Sequence, residues 1–211
     1  MIDLYTFTTP NGRKVSIALE ELGLPYNVHV VDIMKGDQFK PEFLAINAIN
    51  PNNKIPAIVD PQGPGGKPFS VFESGAILLY LAEKTEKLLP ADVRGRTEAV
   101  QWLMFQMSAV GPMLGQLGHF KRAAKERIPY AIERYSKESE RILGVMDKHL
   151  AQHEFLAPEY SVADIATYPW LKGAGEFYPE LMQPVANVRR WLDTVGARPA
   201  VQRGMKVPEL K

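Results

Sequence analysis

Every strand-like run in this chain falls within residues 1–72, and the order in which those runs arrive leaves few folds open. IDLYTF (2–7) reads as a strand. A helix follows that opens at Pro10, where a missing amide is harmless, with Thr9 as its N-cap. Val15, Ala18, Leu19 and Leu22 then recur at helical spacing, and Gly23 stands where a left-handed stop belongs. YNVHVVD (26–32) alternates like a second strand. A polar loop, MKGDQFKPEF, leads to a short helical turn ending near the Asn-rich AINAINPNN. Next come IPAIVD, a Gly/Pro loop (PQGPGGKP), the partner strand PFSVF and a compact apolar helix from Ser74 to Lys84. The order β-α-β-α-β-β-α places a crossover before a hairpin. It predicts an α/β domain: a mixed four-stranded sheet with helices on its faces.

After Lys84 the strand signal stops. TEKLLPADVRGR reads as a connecting segment, and the remainder reads helical. Residues 92–111 include Trp102 and Phe105, and Pro112 is expected to end or kink that helix. Tyr135, Ile142, Met146 and Leu150 keep helical intervals across 129–150. SVADIATYPWL opens with Ser161 and Asp164 three apart, a variant capping box. Two domains are therefore expected: residues 1–84, α/β, and residues 91–211, all-helical, joined by 85–90.

Composition removes several function classes. Of 211 residues, 45% are apolar and 23% charged, the profile of a globular chain with a buried core. A formal net charge of +1 gives no reason to expect nucleic acid or an anionic membrane surface as partner. The longest apolar run, around Gly75–Ala82, is far too short to span a bilayer. MIDLYTF carries Asp3 and no basic stretch, so no signal peptide is expected and the cytoplasm is the default location. There is no cysteine, which excludes disulfides, thiolate metal sites and a thiol nucleophile belonging to the protein. The four histidines show no HExxH-type spacing. His149 and His153 stand four apart on a helix, but two ligands without a third favour a solvated helix face, and no metal is expected.

Pro56 stands at the mouth of the run Ala57-Ile58-Val59. From the residues alone it opens a strand, a position where sheets tolerate proline. The segments TTPNGRKVSIALEELGLPY, NNKIPAIVD, FESGAILLYLAEK and SVADIATYPWL, in this order, carry a stronger signal. Together they resemble the glutathione transferases over nearly the whole chain. FESGAILLYLAEK and GPMLGQ with IPYAIERY bring it nearest to the bacterial nu class, which includes cysteine-free glutathione-dependent disulfide-bond oxidoreductases. The resemblance implies a thioredoxin-like first domain and a homodimer. It also implies glutathione as co-substrate, with one or two molecules, or the disulfide GSSG, per subunit and no metal. It further implies a cis Ile55–Pro56 bond that presents the Ile55 backbone to the tripeptide like an added strand.

The site residues follow from matching positions. Glu73 and Ser74 open a helix, where an acid and a hydroxyl can simply satisfy helical amides. The resemblance adds contact with the γ-glutamyl end of glutathione: Ser74 donating to its carboxylate, Glu73 pairing with its ammonium. Gln38 and Lys54 lie in loops, where solvation is the ordinary role; by resemblance they contact the tripeptide backbone and its glycyl end. Arg134, in YAIERY, is either a solvated helix charge or a planar clamp for a carboxylate of glutathione. Thr9 is either a plain N-cap or the hydroxyl that stabilises the glutathione thiolate, with Asn11 offering an NH₂ or its backbone amide beside it. Tyr5 competes for that role but lies inside a strand run, which favours a packing role.

Three functions compete: glutathione-dependent reduction of a small disulfide, conjugation of glutathione to an electrophile, and a non-enzymatic binding module. Conjugation would use an apolar cleft, for which Trp102, Phe105, Phe120 and Trp170 are candidates, though helical aromatics more often fill cores. AINAINPNN is about two residues longer than the nu-class pattern, which bears on the glycyl end beside Lys54.

Overall fold

The computed structural model describes residues 1–41, 43 and 52–210. The short helical turn expected before the Asn-rich stretch, and most of that stretch, lie outside the described residues. The protein divides into two compact units, Met1–Lys87 with Arg198–Lys211, and Leu88–Ala197.

In the first unit, β1 (Ile2–Thr6) lies between β2 (Tyr26–Val30), which runs parallel to it, and β3 (Ala57–Asp60), which runs antiparallel. β4 (Phe69–Phe72) closes the sheet as the antiparallel partner of β3, giving the order β2-β1-β3-β4. This is the mixed sheet expected from a crossover followed by a hairpin. β1 alternates so that Ile2, Leu4 and Thr6 are buried while Asp3 and Tyr5 face the other side. Helices α1 (Pro10–Leu22) and α2 (Ser74–Thr85) supply the rest of the core, with Val15, Ile17, Leu19, Ile77, Leu78 and Leu81 fully buried. Each such side chain contributes about 1.5–3 kcal/mol. Gly23 ends α1 at φ 63, as a left-handed stop requires.

Asp60, at the end of β3, anchors α2 to the sheet. Its carboxylate accepts from the Tyr80 hydroxyl at 2.6 Å and pairs with Lys84 at 2.8 Å. Burial alone raises its pKa, but the bonds from Lys84, Tyr80 and the Gln62 amide outweigh burial and hold it below the usual value. A depressed carboxyl gives stability that is present above its unfolded-state value and is lost as pH falls through the folded one. We therefore expect acid destabilisation below about pH 4, and that component should vanish in Asp60→Asn. Thermal melts of both proteins between neutral and acid pH check it; identical acid limbs would contradict the assignment.

The last helix, α9 (Pro199–Gly204), returns to the first unit although it follows the whole helical region in sequence. It packs on α1 so closely that a Cβ on Gly204 would meet the backbone of Ile17. Ser16 Oγ donates to the Gly204 carbonyl at 2.7 Å, and Arg198 grips Glu21 through two bonds of 2.7 and 3.0 Å. Residues 198–211 thus group with the first unit, where a helical domain spanning 91–211 was expected.

The second unit is built from α3 (Val93–Phe105), α4 (Gly111–Gly118), α5 (Pro129–Leu150), α6 (Val162–Phe177), α7 (Pro179–Met182) and α8 (Ala186–Gly196). Pro112 neither ends nor breaks the helical path. The turn before it widens to the π register over Gln106–Val110, with the Gly111 amide bonded to the Gln106 carbonyl. Proline cannot donate to the preceding turn, and shifting the ladder by one residue accommodates that loss. α6 starts with the expected capping box: Ser161 accepts from the Ala163 amide, and Asp164 accepts from the Ser161 amide at 3.0 Å. Asp164 also accepts from the Leu156 amide and from Trp191 Nε1. Its burial is complete and raises its pKa to about 6, against the pull of these donors.

Candidate functional site

Sheet register assembles the first half of the site. Ala57 pairs with Tyr5 on one side and with Phe72 on the other. One position before it, Pro56 therefore falls beside Thr6 and Glu73. The β1–α1 turn, the Pro56 loop and the β4–α2 junction meet at one end of the sheet. Ile55–Pro56 is cis, as the resemblance implied; Val207–Pro208 is also cis. Ile55 is half-buried, Pro56 is buried and Lys54 is exposed.

Thr9 caps α1 with extended backbone, φ −104 and ψ 156, and its Oγ1 accepts from the Gly12 amide at 3.1 Å. That bond uses a lone pair. The hydroxyl hydrogen has no acceptor among the described residues and can donate to an anion at the helix start, where the amides already favour negative charge. Gly12 is required for this geometry, because a Cβ there would meet the Phe7 carbonyl and the Thr6 hydroxyl. Asn11 follows in the first turn, half-buried. Tyr5 is on the other face of the sheet from Thr6 and thus from the start of α1. It stacks on His29 with centroids 4.5 Å apart and meets Phe43 edge-on. Burial, followed by the charge of Asp3, raises its hydroxyl pKa, but it is its place on the opposite face that keeps Tyr5 from the start of α1.

At the β4–α2 junction Ser74 is buried, while Glu73 adopts φ 67 and ψ 117. A non-glycine residue held there costs about 1–3 kcal/mol, which neighbouring structure must offset. Glu73 makes no capping bond with its side chain. Its Oε1 instead accepts from Asn52 Nδ2 at 3.5 Å, joining the junction to the loop that carries Lys54 and Ile55. The plain capping reading of the Glu73 side chain therefore fails. Gln38 sits in a one-turn 3₁₀ segment, Asp37–Phe39, with its Oε1 buried and without a partner among the described residues. It is not brought into contact with Thr9 or Ser74 by any described bond.

Lys14 was not singled out from the sequence and is the residue the structure adds. It is 1% exposed, and its Nζ donates to Ser74 Oγ at 3.3 Å. Burial lowers its pKa to about 7, with Glu73 pulling the other way. One signal was available. Lys14 lies one turn before Ala18 on the apolar stripe of α1, an unusual place for a charge.

Arg134 belongs to the second unit. It is exposed on α5 and lines an open groove of about 600 Å³ together with Met113, Tyr130 and Tyr135. Of its acidic neighbours, Glu133 pairs with Lys137 and Glu138 with Arg141, while the charge of Arg134 also acts on Glu138. Among the described residues the four candidate cleft aromatics do not converge on this groove. Trp102 lies tilted against His149 with centroids 4.4 Å apart and meets Phe105 edge-on, Phe120 stacks on Tyr135, and Trp170 fills the space over Gly111 and Gly115. His149 Nε2 lies 3.0 Å from the Leu156 carbonyl and His153 Nδ1 lies 2.9 Å from the His149 carbonyl. Among the described residues no group of three or more metal-binding side chains occurs, and no helix is long and apolar enough to cross a membrane.

A thioredoxin-like sheet with a cis-proline at its third strand, followed by a helical unit, defines a class, and comparison agrees with it. Residues 8–84 match the N-terminal domain of glutathione S-transferase and residues 115–199 its C-terminal domain. The chain belongs to the glutathione S-transferase family. It is 48% identical to the disulfide-bond oxidoreductase YfcG of Escherichia coli K12, over all of this chain and 97% of that one. Among solved structures it resembles a glutathione transferase from Burkholderia graminis with two glutathione molecules bound per subunit. That match has 50% identity and TM-score 0.92, covering 100% of this chain and 89% of that one. A glutathione transferase from Pseudomonas putida holds one glutathione disulfide per subunit; it is 48% identical with TM-score 0.91, covering 98% and 91%.

Proposed function

We propose that this protein is a glutathione-dependent disulfide reductase of the nu-class kind. The carrying observation is the Thr9 hydroxyl, which caps α1 through a lone pair and keeps its hydrogen for an anion, in a chain without cysteine. The nucleophile then belongs to the ligand. A free thiol with a pKa near 8.5 is only a few per cent ionised at neutral pH. The start of α1 and the Thr9 hydroxyl lower that value, with Asn11 beside them. The thiolate attacks one sulfur of a small disulfide, forming a mixed disulfide and releasing one thiolate, which takes up a proton. A second glutathione thiolate attacks the mixed disulfide, so two glutathiones leave as GSSG and the substrate leaves as two thiols.

The ligand contacts we assign are the Ile55 backbone beside Pro56, Gln38, Lys54 at the glycyl carboxylate, Glu73 and Ser74 at the γ-glutamyl end, and Arg134 for a second tripeptide or one end of GSSG. The similarity to structures holding two glutathiones or GSSG supports this set. A homodimer acting in the cytoplasm, without metal, nucleic acid or membrane as partner, completes the reading.

Reduction of hydroxyethyl disulfide by glutathione, coupled to a GSSG reductase, tests it. We expect turnover well above the uncatalysed rate and higher than conjugation to an aryl halide. A rate equal to the uncatalysed one overturns the proposal, and dominant conjugation moves the protein to the transferase reading. The scattered pairing of the four aromatics weighs against a large apolar cleft and favours reduction.

A further inference from the structure

Lys14 is the only buried lysine or arginine among the described residues, and it lies beneath the start of α2 rather than at the surface. Removing an ammonium from water costs several kcal/mol unless the surroundings compensate, so a residue that merely filled this space would be apolar. Its Nζ lies 3.3 Å from Ser74 Oγ. A serine hydroxyl has two lone pairs and one hydrogen. When Lys14 donates into a lone pair, the hydroxyl hydrogen is directed elsewhere.

We propose that Lys14 is a positioning residue of the ligand site: its ammonium donates to Ser74 Oγ and so turns the Ser74 hydroxyl hydrogen outward, toward the γ-glutamyl carboxylate of glutathione. The proposal rests on the reading of the ligand as glutathione and adds a residue that this reading did not use. The first amides of α2 point the same way, and the buried charge of Lys14 adds attraction in a medium of low dielectric.

A pH response follows from the same geometry. The charged groups on the elements packed against α1 are few. Glu73 at the head of α2 acts on Lys14. Further along α2, Lys84 and Tyr80 are engaged with Asp60, and Glu83 lies about 13 Å along the axis from Ser74. Arg203 of α9 is turned to Glu20, and Arg198 at its start is turned to Glu21. With burial holding Lys14 near 7, the ammonium is partly lost just above neutrality. A neutral amine has a lone pair of its own and accepts the Ser74 hydrogen, which withdraws the donor from the ligand. A bound carboxylate favours the ammonium, so binding takes up a proton and weakens as pH rises.

The test uses S-methylglutathione, whose sulfur cannot ionise, in titration calorimetry at several pH values and in two buffers of different ionisation enthalpy. We expect affinity of the unmodified protein to fall about five- to tenfold between pH 6.5 and 8.0, with uptake of a fraction of a proton at pH 7.5. Lys14→Met should bind at least tenfold more weakly at pH 6.5, with affinity flat across the range and no proton uptake. If Lys14 only supported folding, Lys14→Met would melt lower without changing the pH profile of binding, which overturns the positioning role. Should Lys14→Met fail to fold, proton uptake by the unmodified protein decides alone. Binding that is independent of pH and buffer overturns the role of Lys14 and leaves the glutathione reading standing. Absence of binding overturns both.

Discussion

Replacing Thr9 by valine should lower kcat/KM for disulfide reduction by roughly 10- to 100-fold. A hydrogen bond to a charged group is worth about 1.5–3 kcal/mol, and each 1.4 kcal/mol is tenfold in rate. The Thr9 hydroxyl is placed for such a bond by the backbone of its own helix, since Gly12 donates to the oxygen and leaves the hydrogen outward. Valine keeps the shape and removes both functions. The lost cap costs about 1 kcal/mol of stability, a modest effect that a melt measures separately. The diagnostic readout is the ionisation of bound glutathione, followed by thiolate absorbance against pH. Its apparent pKa should rise by about one to two units in Thr9→Val, since each unit is about 1.4 kcal/mol. Thr9→Ser, which keeps the hydroxyl, should stay near the parent value. An unchanged thiol pKa in Thr9→Val would reduce Thr9 to a cap and pass the role to Asn11.

The largest expected effect on stability comes from Asp164→Ala. The carboxylate accepts from the Leu156 and Ser161 amides at 3.0 Å each and from Trp191 Nε1 at 2.8 Å, and neither Ser161, Asp164 nor Trp191 is exposed. Alanine leaves these donors buried without an acceptor, at about 1–3 kcal/mol each. The sum, limited by local relaxation, is about 3–5 kcal/mol. For a chain of this size that lowers the melting temperature by roughly 10–15 °C. Asparagine is only a partial remedy, because one of its two terminal atoms donates where the site offers donors. A melting shift under about 3 °C in Asp164→Ala would mean that the network rearranges without loss.

Much of the fold is legible in short stretches because the signals are local. Thr9 before Pro10, Gly23 after Leu22, and Ser161 three before Asp164 each act within one helical turn. That the sheet is mixed and four-stranded follows from the sequence of strand and helix signals. The same local signals mark Thr9 as a cap, Pro56 as a strand opening and Ser74 as a helix start, whereas a ligand role for them came from the resemblance to glutathione transferases. Pro112 misled, since a proline in isolation stops a helix, whereas the neighbouring turn here absorbs it by widening. The four aromatics were left between cleft and core, with core favoured. Their residue type suits a cleft, but their partners, His149, Tyr135, Gly111 and Gly115, come from other helices and are invisible along the chain.

By itself the amino-acid sequence determined the order of elements, their caps, the proline at the head of β3 and the absence of any thiol belonging to the protein. These rest on spacing, dihedral preference and composition, which operate over a few residues. Tertiary structure alone decided that α9 returns to α1, that Tyr5 faces away from the start of α1, and that Lys14 is buried against Ser74, 60 positions away. Burial and hydrogen bonding across such separations depend on how elements pack, and packing sums contacts that no local pattern contains.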